Sequence, residues 1–130
     1  MKYVILIHSN PDPWGHPTDR YTAEGRAISA EDHDRADREF DALLAAISAS
    51  GELITGEALG DPASSTIYTW RPDGHLATDG PYAEAKEQLA GFFLLDCETR
   101  ERAETIAAQF AGPGSTIELR PAMWPGGDDQ

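Results

Sequence analysis

The run Asp79-Gly80-Pro81-Tyr82-Ala83-Glu84-Ala85-Lys86-Glu87-Gln88-Leu89-Ala90-Gly91-Phe92-Phe93-Leu94-Leu95-Asp96-Cys97 decides the architecture. Its opening is a turn: Asp79 can cap its own backbone, Gly80 tolerates left-handed angles, and Pro81 fixes the exit. Its end, Leu89 to Cys97, is the most apolar run of the chain, and its length suits a buried strand better than a helix.

Immediately upstream, Thr66 to Trp70 reads as a strand that turns through Arg71-Pro72-Asp73-Gly74 into a short return arm, His75 to Thr78. Glu52 to Leu59 is a further strand, interrupted by Gly56. Before it, Ser29 offers an N-cap, and Ala36, Phe40, Leu43, Leu44 and Ile47 fall on one helical stripe that Gly51 closes. Tyr3 to His8 forms the first strand, apolar on both faces and therefore central in a sheet. Downstream, Thr99 caps a second helix with Ala103, Ile106, Ala107 and Phe110 on one face. Gly112-Pro113-Gly114 ends it, and Thr116 to Arg120 is the last strand. The domain is expected to occupy residues 1–122, with 123–130 as a flexible tail rich in Pro, Gly and Asp.

The resulting order predicts an α+β fold, a ferredoxin-like β-α-β-β-α-β sandwich with a mostly antiparallel sheet. Two helices cover one face of a four-stranded sheet. The other face carries Tyr, Ile, Phe and Leu and needs a cover, which a second copy of the chain supplies most economically. The expected partner is therefore the protein itself.

The 130 residues suffice for one core. With 23 acidic against 10 basic residues the net charge is -13, which disfavours nucleic acid and anionic membrane surfaces as partners. The apolar start is too short for a signal peptide or membrane span, so a cytoplasmic protein is expected. Cys97 stands alone, which excludes an intrachain disulfide and a Cys-rich zinc site, and its setting is that of a buried strand end.

Several side chains could carry chemistry. The long connection from Pro11 to Ala30 holds Trp14, His16, Asp19, Arg20 and Tyr21, and loops of this length are commonly functional or mobile. Asp79, Glu84, Lys86 and Glu87 put three carboxylates and an ammonium in one short segment. That pattern suits a general base beside an electrostatic stabiliser, and equally a solvated salt-bridge cluster. Among the histidines, His8 ends the first strand, His16 lies in the long loop, His33 falls on an exposed helix start and His75 on the hairpin turn. No histidine spacing fits a metal, and no nucleophile elbow, phosphate loop or dinucleotide fingerprint occurs. Neither metal nor cofactor is expected.

The segment Thr78 to Gly91 resembles the hallmark of the YCII-related (DGPF) family, D-G-P-F-A-E-T-K-E, with Tyr82 in place of Phe and Ala85 in place of Thr. Similarity extends to Lys2-Tyr3, to Gly56-Glu57 with Leu59, and to Ile117-Glu118-Leu119-Arg120-Pro121; the stretch from Pro11 to Ala30 is the least family-like. The resemblance implies a ferredoxin-like domain pairing as a dimeric α/β barrel. It implies two directions for function. Relatives in the wider superfamily are cofactor-free lyases or isomerases of small cyclic compounds, and others are encoded beside extracytoplasmic-function sigma factors, which suggests a regulatory module. On the enzymatic reading, His8 or Asp79 is the base and Lys86 stabilises an oxyanion next to a carbonyl. Trp14, His16, Glu57, Tyr82 and Glu87 would then contact the small-molecule ligand.

Overall fold

In the computed structural model, which describes residues 1–83 and 86–123, the chain folds around a four-stranded antiparallel sheet. Strand β1 is Lys2–Ser9, followed by a long connection containing a 3-10 turn at Thr18–Tyr21 and a short helix α1 at Ala23–Arg26. Helix α2 spans Ala30–Ala49, β2 Leu53–Ala58, β3 Thr66–Arg71, β4 Gly74–Asp79, β5 Gln88–Asp96, α3 Arg100–Phe110 and β6 Ser115–Pro121. The main sheet runs β2-β5-β1-β6, the ferredoxin-like order, with β1 central as its two apolar faces require. The Pro/Gly-rich end of the chain past Met123, including Trp124, lies outside the described residues, as do Glu84 and Ala85.

Both long helices begin where capping side chains stand. Ser29 Oγ accepts the Asp32 amide and Thr99 Oγ1 the Arg102 amide, each at 3.1 Å. Gly51, with φ of 82°, releases the chain from α2 in a conformation that other residues avoid. Leu43 and Ile47 of α2 and Ala103, Ile106 and Phe110 of α3 pack on Tyr3, Ile5 and Leu95. Burying each large aliphatic of this set contributes about 1.5–3 kcal/mol. Arg102 of α3 grips Glu52 through two hydrogen bonds of 2.8 and 3.0 Å, which ties the helix to the start of β2.

Strand alternation divides the sheet. Tyr3, Ile5 and Ile7 face the helices with Phe93, Leu95, Ile117 and Leu119. Val4, Leu6, Phe92 and Leu94 are half-buried and face the other way, beside Thr55 and Glu57 of β2 and Glu118 and Arg120 of β6. The uncovered face is thus aliphatic with one phenylalanine, whereas the tyrosine and first isoleucine of β1 belong to the covered core.

Strands β3 and β4 pair only with each other, as a hairpin apart from the main sheet that exposes Tyr68 and Trp70. At its base, the Gly80 amide donates to the Ser65 carbonyl at 2.7 Å. A Cβ on Gly80 would lie 1.9 Å from Ser65 Oγ. The glycine of the Asp79-Gly80-Pro81 turn is needed for this close approach rather than for a left-handed angle, since its φ is not positive.

Candidate functional site

On the helix side of the sheet, α2 and the end of α3 splay apart over a cavity of about 740 Å³. Its floor is a cluster of three phenylalanines. Phe110 packs against Phe93 and Phe40 with ring centroids 4.7 and 5.3 Å apart, and Phe40 meets Phe93 edge-on at 6.4 Å. Around the mouth stand His16 and Asp19 from the long connection and Asp37 and Glu39 from α2, while β2 borders it at Glu57 and Ala58 with the Glu57 side chain turned to the uncovered face.

The long connection is fastened to the body from both ends. Trp14 Nε1 and His16 Nε2 each donate to the Leu59 carbonyl at 2.9 Å, and the two rings meet edge-to-face. Donation from Nε2 leaves His16 Nδ1 as the acceptor nitrogen of the neutral ring. Further along, Thr22 caps α1, and Gly25 packs so closely that a Cβ there would lie 1.5 Å from the Asp19 carbonyl oxygen. The Gly25 carbonyl accepts from His33 Nε2 at 2.7 Å, and Arg20 reaches Asp37 at 2.5 Å.

His33 is therefore not on an exposed helix start: it is buried, 7% accessible, under the connection. Its Nδ1 has no hydrogen-bond partner and lies 3.6 Å from Asp19 Oδ2. A proton on that nitrogen turns the approach into an ion pair behind a carboxylate that lines the cavity. The signal was present in the sequence, because His33 continues the stripe of Ala36 and Phe40 one step toward the N-terminus.

The other candidates fall in separate places. His16 lines the cavity, Glu57 borders it but turns its side chain to the uncovered face beside Phe92, and Trp14 only positions the loop. His8, Asp79 and Lys86 do not line it. His8 points to the uncovered face, where its Nε2 lies 3.0 Å from Glu118 Oε1. That hydrogen bond, and next the one from Arg120, hold the Glu118 carboxyl below its usual range. Thr116, opposite His8 on β6, donates to Glu87 at 3.2 Å, so His8 and Glu87 share one corner of this face. Asp79 is exposed at the base of the hairpin, Lys86 is exposed, and Tyr82 is 84% accessible beside a second, shallower depression of about 400 Å³. Cys97 is buried, and burial, followed by the nearby Glu52 charge, pushes its thiol pKa up.

Among the described residues no group of three His, Cys, Asp or Glu side chains could hold a metal ion, and no helix is long and apolar enough to cross a membrane. A family model described as YCII-related domain matches residues 1–115. The chain is also 31% identical over 98 residues to an uncharacterised protein, R00369, of Rhizobium meliloti (strain 1021), covering 73% of this chain and 79% of that one.

Proposed function

This chain belongs to the YCII-related domain family, and on that footing we propose that it is a homodimer that binds a small organic molecule in the cleft and performs cofactor-free acid–base chemistry on it. The observation that carries the reading is the cleft itself. Its volume of about 740 Å³ falls within the roughly 300–1,000 Å³ of small-molecule sites, and it combines an apolar floor with a few polar groups at the mouth. His16 is the proton acceptor: its ring is held by the Leu59 carbonyl, and its free nitrogen is available to a ligand in the cleft. The reaction class is a lyase or isomerase step, proton transfer next to a carbonyl.

The homodimer rests on the uncovered face. Val4, Leu6, Phe92 and Leu94 form one contiguous apolar strip, and a second copy applied face to face would bury both strips. Light scattering at micromolar concentration should give twice the chain mass, and Phe92→Asp should give the monomer. A monomeric wild type would remove the barrel.

Binding is tested with the neutral solvatochromic dye prodan, whose emission should shift to the blue with wild type and not with Ala108→Trp, a substitution on an exposed wall position. Equal shifts for both proteins would sink the cleft. Turnover is tested by deuterium exchange at the α-carbon of small cyclic ketones, which His16→Gln should abolish. A second reading, a non-catalytic ligand-binding or regulatory module, is favoured by the position of His8, Asp79 and Lys86 outside the cleft. It predicts ligand binding without exchange.

A further inference from the structure

We propose that the cleft selects an organic cation, a molecule with an aromatic or aliphatic body and an ammonium-type charge; this rests on the cleft being the binding site. Three independent features give the cleft one electrostatic sign. Three carboxylates line it, those of Asp19, Asp37 and Glu39, and no Lys or Arg does among the described residues. Asp37 is answered by Arg20 and Asp19 is approached by His33, but Glu39 has no hydrogen-bond or ion-pair partner among the described residues. Its charge is left for a ligand.

The second feature is the end of α3. The helix stops at Phe110 against the cavity, and the Ala111 amide caps only the Ala108 carbonyl. The remaining carbonyls of the last turn carry the negative end of the helix dipole to the wall. The third is the floor, where Phe40, Phe93 and Phe110 offer aromatic rings, whose faces are negative and attract a desolvated cation. An anionic ligand would meet repulsion from all three. The chain's charge of -13 adds long-range attraction for a cation.

The test is an NMR titration at low salt with three probes of similar shape: benzyltrimethylammonium, its neutral near-isostere dimethylbenzylcarbinol, and phenylmethanesulfonate. The cation should bind about tenfold more tightly than the carbinol, a preference that weakens as salt screens the exposed carboxylates. The sulfonate should bind most weakly. The variant Glu39→Gln, at an exposed position where folding is not at stake, should cut the cation's preference to about threefold or less and leave the carbinol unchanged. Equal binding of cation and carbinol, preference for the sulfonate, prodan binding without cation binding, or a preference that survives Glu39→Gln would each overturn the charge selection and leave the cleft standing. Failure of prodan and all three probes would overturn the cleft, and this proposal with it.

Discussion

Replacing Gly25 by alanine should loosen the long connection from α2 and distort the cleft. The added Cβ would lie 1.5 Å from the Asp19 carbonyl oxygen and 2.5 Å from its carbon, against an ordinary contact of at least 3.4 Å, a shortfall of 3.4 − 1.5 = 1.9 Å. The obstacle is backbone, so no rotamer change relieves it. Overpacking of this kind costs about 1–3 kcal/mol. Whichever segment moves, the 2.7 Å bond from His33 Nε2 to the Gly25 carbonyl is strained, and a buried polar group left unpaired costs about 1–3 kcal/mol more. The sum of about 2–6 kcal/mol corresponds, at about 4 °C per kcal/mol for a domain of this size, to a fall in Tm of roughly 8–24 °C. Thermal unfolding by circular dichroism measures it, and prodan titration should show weakened binding because Asp19 moves with the turn. Gly60→Ala is the control: nothing lies within 4 Å of its Cβ, and its stability should stay within about 0.5 kcal/mol of wild type. A Gly25→Ala protein melting within about 2 °C of wild type, with unchanged dye affinity, would refute the reasoning.

Glu52→Gln should destabilise the protein at neutral pH through the loss of the Arg102 pair. The native Glu52 carboxyl lies below its ordinary value of 4.5, by hydrogen bonds from Arg102 and then Ser50, so its stabilisation is present above that value and lost as pH falls through the depressed native one. Stability curves of variant and wild type should therefore converge in acid; a gap that persists there would refute the linkage. Cys97 should resist a thiol reagent in the native protein and react at the unfolding rate in denaturant, because its raised pKa and burial leave little accessible thiolate; rapid native labelling would contradict this. In His8→Ala, the Glu118 carboxyl should titrate closer to 4.5, read by carboxyl carbon NMR, since the His8 hydrogen bond is the larger cause of its depression. No movement would mean that Arg120 alone sets it.

The fold was legible because its determinants are local and periodic. Ser29 and Thr99 cap the helices that their positions predict, and the stripe of Phe40, Leu43, Leu44 and Ile47 meets the sheet as its spacing requires. Strand β1 is central for the reason its composition gives. The site was less legible, because a cleft is made by non-local packing. Phe40, Phe93 and Phe110 come from three elements, and each reads in sequence only as core. His33 was misread because polarity was taken as exposure, although its helical spacing placed it on the buried stripe. Gly80 was assigned to the turn for its conformational range, whereas the approach of Ser65 is what demands it. His16 borders the cleft from the long loop that singled it out, whereas Glu57, singled out with Gly56 for its likeness to the family, turns its side chain to the other face.

The alternation of β1 has a consequence for how ligand specificity and fold are divided in this chain. Ile7 lines the cleft, so His8 next to it must point to the opposite face. If a second copy covers that face, His8, Glu118, Thr116 and Glu87 are drawn toward the barrel interior, while the cleft stays on the outside between helices and loop. Asp79 and Gly80 then serve mainly the hairpin base, and Gln88 and Leu89 open β5. On the proposed reading, cleft chemistry would depend instead on the connection from Pro11 to Ala30, which supplies His16 and Asp19 and holds Arg20 against Asp37. That connection is also the part of the sequence least like the family pattern. With a ligand in the cleft and a dimer on the other face, the marker of the fold and the determinants of the ligand would lie on opposite sides of one sheet. Substitutions in the connection should then change which molecule binds while leaving the proposed dimer intact, and substitutions at Leu6 or Phe92 should do the reverse.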